Sequence, residues 1–338
     1  MPYDNIIAVF QELVRAGVQN RTSVHFPDCL FQDRELSEDF EKFASWQLGR
    51  SIQISGDISN ENLFNQELFP GYAIPNAQLA ICYGVGVDST IALWWARKKY
   101  GYQKHQIAVV HVDYGWASKK EQRRLDDLLP YLTRQAGSVI KISLDPPVVS
   151  AEDSLPKGYI IPARNALLAS IGQQYGDLVW IVANYRKIDD GKHALIDKNR
   201  RFFLELGPLL SRFRMARGFY SSPKEQPFEY DYIPQRRNPV VVMSPFLHLS
   251  KGDTIRWFLE VEPEAKKILS LTTTCYDSER QRCGRCAACF KLALTLQEVG
   301  LYGQPGFCFD HPPNQEWKFW TSSWKRFLDS SREHGRSH

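Results

Sequence analysis

Four of the seven cysteines lie within fifteen residues: Cys275, and eight positions on Cys283-Gly284-Arg285-Cys286-Ala287-Ala288-Cys289. Such density points to a shared task. Zinc takes thiolates in a tetrahedron, and a Cys-x2-Cys turn delivers two of them from one side. Gly284 gives that turn its backbone freedom. Cys289 adds a third ligand from the first turn of the helix expected to follow, and Cys275 closes the shell. Four thiolates leave no position open for water or substrate, so the centre reads as structural Zn2+. An iron–sulfur cluster is the competing reading, because Cys-x2-Cys-x2-Cys also occurs in ferredoxins, but the further cysteine and proline of that run are missing. Buried unligated thiols or disulfides are the plain alternative.

A second stretch could grip an anion. Leu79-Ala80-Ile81-Cys82-Tyr83 reads as a buried strand, Gly84-Val85-Gly86-Val87-Asp88-Ser89-Thr90 as a glycine-bearing turn, and residues 91–100 as a helix. A strand that feeds such a turn into a helix aims unpaired amides and the helix dipole at a phosphate. The Gly-Lys-Ser/Thr of a Walker loop is absent, which argues against a P-loop nucleotidase.

The elements that would position these residues alternate. Strands are expected at 107–112, 138–144, 178–183 and 239–243, with helices at 118–135, 163–175 and from about Thr254. That alternation argues an α/β fold with a doubly wound parallel sheet. Ligands in such sheets sit at the carboxyl ends of the strands, where Asp88, Asp113-Tyr114-Gly115 and Asn184 fall. Residues 1–75 carry one clear amphipathic helix, 6–16, and then read as polar and irregular, a helical extension with no legible chemistry. The expected parts are therefore that extension, an α/β domain over 76–262, a zinc segment and helix over 263–300, and an aromatic tail over 301–338.

The motifs, in this order, resemble those of the 7-cyano-7-deazaguanine synthases, the QueC family of the PP-loop ATP pyrophosphatase superfamily. The resemblance runs from about Ala77 to Gly300. It rests on Gly86-Val87-Asp88-Ser89-Thr90, Val112-Asp113-Tyr114-Gly115, Ile161-Pro162-Ala163-Arg164-Asn165, Asp197 with Phe202, Ser244-Pro245-Phe246 with Lys251, and the cysteine cluster. It implies an adenine nucleotide alpha hydrolase-like fold and a ligase. Such an enzyme adenylates 7-carboxy-7-deazaguanine with ATP and Mg2+, forms the amide with ammonia, and dehydrates it to the nitrile with a second ATP. On this footing Tyr83, Gly84, Val85, Gly86, Val87, Asp88, Ser89, Thr90 and Asp113 would bind the nucleotide, with Asp88 shaping the loop or holding Mg2+. Lys251 and Arg164 would supply the catalytic cations, and Tyr114, Asn165, Asn184, Asp197 and Phe202 the substrate pocket.

The chain departs from the superfamily pattern at the loop, where Ser-Gly-Gly-x-Asp-Ser is usual and Gly84 and Val85 hold the first two positions. The first hydroxyl is lost, a contact worth about 1.5–3 kcal/mol to a charged partner, and a β-branched residue resists the positive φ that glycine allows. A Gly-Tyr-Pro-Asp segment is represented only by Ala194-Leu195-Ile196-Asp197.

Outside these motifs, arginines 200, 201, 212, 214 and 217 surround an apolar stripe of Phe202, Phe203, Leu206, Leu209, Leu210 and Phe213. A solvated helix face is the expectation, a nucleic-acid or acidic groove the alternative. Trp317, Trp320, Trp324, Phe327 and Leu328 recur at helical spacing; they dock on their own domain or, with the amino-terminal region, on a protein partner. A homodimer is expected. With 42 basic against 38 acidic residues, charge names no partner. No apolar run approaches a membrane span, no signal peptide is visible, and clustered reduced cysteines suggest the cytoplasm. Two other functions stay open: a paralogue joining the activated acid to a macromolecular amine, in a specialised pathway such as defence, and a non-catalytic nucleotide-binding scaffold. A tRNA-thiolating enzyme ranks last, because it would want a catalytic cysteine pair and only Cys82 lies near the loop.

Overall fold

The computed structural model describes residues 4–18, 21–25, 34–55, 78–113, 119–144, 163–184, 200–216, 239–275, 282–284 and 286–311. Its centre is a five-stranded parallel sheet of β3 (Leu79–Cys82), β4 (Ile107–Asp113), β5 (Ser138–Ser143), β6 (Leu178–Ile181) and β7 (Val241–Met243), in the order β5-β4-β3-β6-β7. The chain moves outward from β3 through β4 to β5, then returns to the other side of β3. That reversal opens a crevice at the carboxyl ends of β3 and β6, where open α/β sheets bind ligands. The register sets Cys82 level with both Val110 and Ile181, so the three inner strands end together.

Strands buried on both faces need apolar residues on both, and the helices divide accordingly. Against one face lie α3 (Val87–Lys98), α4 (Lys119–Gln135), α7 (Lys251–Val261), α8 (Ala265–Leu271) and α9 (Ala287–Glu298), sharing a core with Ile81, Val109 and Trp180. Against the other lie α5 (Arg164–Gly172) and α6 (Arg200–Ala216), with Ala80, Val110 and Val179. The doubly wound α/β expectation is met.

The amino-terminal residues join that second core. α1 (Asp4–Val18) shows the anticipated stripe, while α2 (Arg34–Leu48) stands where an irregular stretch was expected. Its apolar residues Phe40, Phe43 and Ala44 fall at helical spacing, but the charged opposite face hid the period. Phe10, Phe40, Phe43, Phe202 and Phe213 pack edge-on or tilted, with centroids 5.6 to 6.4 Å apart in contacts such as Phe10–Phe40 and Phe43–Phe202. Each buried ring contributes roughly 1.5–3 kcal/mol, enough to fasten α1 and α2 to α6. β1 (Ser23–His25) and β2 (Gln53–Ser55) form a small parallel pair beside them.

The same packing takes up arginines of α6. Arg201 lies 4.5 Å above the Trp46 ring and bonds Glu205, and Arg212 pairs with Asp39. These arginines serve intramolecular contacts, as a helix face would, and the apolar stripe is core. Among the described residues no helix is long and apolar enough to cross a membrane. Tyr114, Asp197, His193, Cys29 and the tail from Trp317 to Leu328 lie outside the described residues.

Candidate functional site

α3 begins at Val87, four residues earlier than the pattern of apolar residues suggested, so Asp88, Ser89 and Thr90 belong to its first turn. Gly86 is its N-cap and has no side chain with which to satisfy the leading amides. Those N–H groups and the positive helix end face the crevice mouth, a suitable seat for phosphate oxygens. Gly84 is open, with nothing within 4 Å of the place a Cβ would occupy.

Val85 adopts φ 56°, the left-handed region, at a cost of about 1–2 kcal/mol for an L-residue. The tension expected from a valine in a glycine position is real. The loop keeps the conformation, and the valine side chain is wholly buried among Tyr83, Ile91 and Phe246 in the core. Ala163, just before Arg164, is the other non-glycine residue at positive φ among those described, with φ 61°. Such outliers persist only where surrounding structure over-determines them, and both adjoin proposed site residues.

Three side chains meet at the crevice. Lys251 Nζ lies 2.8 Å from Asp88 Oδ2. The Asn184 amide, oriented to donate, places its nitrogen 2.9 Å from Asp88 Oδ1. Each comes from a different element: Asp88 from α3, Asn184 from the end of β6, and Lys251 from the first residue of α7. That helix starts at Lys251 because Ser250 and Asp253 form a reciprocal capping box, with the Asp253 N–H donating to Ser250 Oγ at 3.1 Å. Ser244 Oγ meanwhile joins the ends of β6 and β7, accepting from the Ala183 N–H at 2.8 Å and donating to the Ala183 carbonyl at 2.7 Å.

Other sequence candidates fall elsewhere. Thr90 donates both its amide and its hydroxyl to the Gly86 carbonyl, at 3.1 and 2.9 Å, and Tyr83 donates to the Thr90 hydroxyl at 2.9 Å. Both hydroxyls are buried and lock the loop from inside, and burial pushes the Tyr83 phenol above the ordinary tyrosine range. Ser89 donates to the same carbonyl at 3.2 Å. Phe202 is 0% exposed within the aromatic core, so it offers no surface to a substrate; helical periodicity placed it there, not in a pocket. Asn165 is buried, and Arg164 is half-buried at the start of α5. Asp113, at the end of β4, accepts from Gln122.

Cys82 is the cysteine nearest the loop. Its thiol donates to the Leu168 carbonyl at 3.4 Å, and burial pushes its pKa up to about 12. A thiol held neutral is a poor nucleophile, which removes the thiolating alternative's one candidate. His111, without metal-ligand spacing in the sequence, reads as a satisfied polar residue, and the structure agrees. It is 3% exposed, and its Nδ1 donates to the Tyr83 carbonyl at 2.9 Å, supporting the last residue before the loop.

The thiolate centre is assembled as expected. The Sγ atoms of Cys275, Cys283, Cys286 and Cys289 all lie within 4.8 Å of one another, with Cys283–Cys289 at 3.9 Å and Cys286–Cys275 at 4.0 Å. The edge of a zinc tetrahedron with bonds of about 2.3 Å is roughly 3.8 Å, so one Zn2+ fits. A multi-iron cluster would spread opposed sulfurs farther apart, and that reading fails on size. The Cys283 and Cys289 amides donate to Cys275 Sγ and Cys286 Sγ, both at 3.4 Å, an arrangement that favours thiolate charge. Gly284, at φ 73°, lies under the His311 carbonyl, which any Cβ there would overlap. Arg282 is buried beside the cluster, donating to the Gly306 and Leu269 carbonyls, and burial lowers its pKa to about 10.

Fold and site together define a doubly wound α/β protein with a glycine-bearing loop at its switch point and a four-cysteine cluster able to hold a metal against the same sheet face. A family profile described as queuosine biosynthesis protein QueC matches residues 224–300 of this chain. The chain is 24% identical to the 7-cyano-7-deazaguanine synthase of Acetivibrio thermocellus over 227 residues, covering 64% of this chain and 91% of the relative. It is 25% identical to the corresponding enzyme of Persephonella marina over 245 residues, covering 67% and 95%.

Proposed function

We propose that this protein is an ATP-dependent carbon–nitrogen ligase acting on 7-carboxy-7-deazaguanine with ammonia. The observation that carries the reading is the meeting of Asp88, Asn184 and Lys251 beside the uncapped start of α3. A carboxylate oxygen of the acid attacks the α-phosphorus of ATP, and pyrophosphate leaves. Ammonia attacks the acyl carbon, AMP departs and the amide remains. In the nitrile-forming step the amide oxygen takes AMP from a second ATP, then leaves with it as the nitrogen loses its protons.

The residues divide the work by charge. Negative charge grows on the leaving pyrophosphate, where preorganised amides and a cation are worth most. The amides at the start of α3 supply the first, and Lys251, moving from Asp88 toward the phosphates, the second. Asp88 and Asn184 hold Lys251 in reserve and keep the crevice mouth in register. Magnesium, arriving with the nucleotide, would neutralise phosphate charge. Zinc, held by Cys275, Cys283, Cys286 and Cys289, would serve structure, since four thiolates leave it no open position.

The test is direct. Purified protein is incubated with ATP, Mg2+, ammonium and the acid, and AMP, pyrophosphate and the organic product are followed by mass spectrometry. Release of AMP and pyrophosphate dependent on the acid is expected, with amide or nitrile accumulating; absence of both nucleotide products would overturn the proposal.

A further inference from the structure

The segment that delivers the first metal ligand also grips the phosphate loop. The Thr273 N–H donates to the Val85 carbonyl at 3.0 Å, and Cys275 follows two residues later. On the adjoining residue, the place of a Gly86 Cβ lies 3.6 Å from Thr274 Cγ2 and 3.8 Å from the Thr273 carbonyl oxygen. Residues 273 and 274 therefore lie along the peptide that joins the left-handed Val85 to the N-cap of α3. Nothing in a valine favours φ 56°, so the conformation must be imposed from outside.

We propose that Thr273 is a positioning residue: anchored through Cys275 to the thiolate centre, it holds Val85 in the left-handed region and so presets the loop for the nucleotide. In a planar trans peptide the N–H points opposite to the carbonyl. Gripping the Val85 carbonyl thus fixes the direction of the Gly86 N–H. Without the grip, the 85–86 peptide can rotate to relieve the valine and turn a carbonyl where the anion needs a donor. The metal then acts on nucleotide binding without touching the nucleotide. This rests on the loop's being the phosphate site, as proposed above.

Four preparations test it: the parent and Val85→Gly, each zinc-loaded and stripped with a chelator. Glycine holds positive φ without strain, so it should free the loop from dependence on the brace. Amide hydrogen exchange over residues 84–90, measured without nucleotide, should quicken on stripping in the parent and much less in Val85→Gly. ATP affinity by calorimetry should fall about tenfold in the stripped parent, equivalent to about 1.4 kcal/mol, and no more than about twofold in Val85→Gly. Equal losses in both, or loop exchange indifferent to zinc, would overturn the proposal. Should stripping unfold the chain, Thr273→Pro in zinc-loaded protein removes the same N–H, and its lost ATP affinity should be restored by adding Val85→Gly; failure of that rescue counts against the brace. A parent that never binds ATP would sink the nucleotide reading, while the exchange result would still decide the brace.

Discussion

Two of the turns that hold a residue in the left-handed region, at Gly284 and Val85, meet that demand in opposite ways. At the metal centre the residue is Gly284, where φ is 73° and the His311 carbonyl occupies the space a side chain would need. At the proposed nucleotide loop it is Val85, where φ is 56° and the side chain is fully buried among apolar neighbours. The first site is limited by room and the second by core packing. A turn roofed by another segment's backbone has no space for a Cβ, whereas a turn at the edge of the core can point a side chain backward into it, provided another segment bears the strain.

The sharpest way to break the comparison is to empty the metal centre. Cys289→Ser should abolish stoichiometric zinc and lower the unfolding free energy by several kcal/mol, on the order of 5, since structural zinc binding is folding free energy; metal analysis and denaturant titration check both. Gly284→Ala follows, with roughly 2–5 kcal/mol lost from left-handed strain plus overlap, read as a fall in the denaturation midpoint. Lys251→Ala should leave the fold intact and lower kcat/KM about 10²-fold to 10³-fold, in line with removal of one preorganised charge-stabilising group, measured by AMP release.

Val85→Gly is the informative contrast to Gly284→Ala. Relief of about 1–2 kcal/mol of strain opposes the loss of a buried valine worth roughly 1.5–3 kcal/mol. The unfolding free energy should therefore shift by less than about 2 kcal/mol in either direction. A shift as large as that of Gly284→Ala would erase the distinction between the two turns. The smallest effect concerns Cys82. Its pKa is raised from 9.0 to about 12, so the folded thiol keeps its proton while the unfolded one ionises. Its contribution is intact below pH 9 and is lost as pH rises toward 12. At pH 8 an alkylating reagent with a chelator should label the four clustered thiols and the exposed Cys308 but spare Cys82 in folded protein, as peptide mass mapping would show.

Particular residues show how much could be read from the chain. Cys283, Cys286 and Cys289 were legible as a ligand set because a turn and the first turn of a helix place their sulfurs by local geometry alone. Asp88, Asn184 and Lys251 were each legible as strand-end or helix-start residues, but nothing in their spacing said that they touch. Phe202 misled, because a phenylalanine in a motif looks the same whether it faces a substrate or the rings of α2. The second amino-terminal helix was missed because its charged face outnumbers the apolar positions that define its period.

By itself the amino-acid sequence determined the four cysteines that could hold a metal, the alternation of strands and helices, and the glycine-bearing turn at the head of α3. These depend on neighbours in the chain, and short-range periodicity and ligand spacing encode them. The tertiary structure alone decided that β6 returns beside β3, that Lys251 reaches Asp88, and that Thr273 holds the carbonyl of Val85. Such contacts join segments far apart in sequence, and they exist only once burial on both faces of the sheet has set the order of its strands.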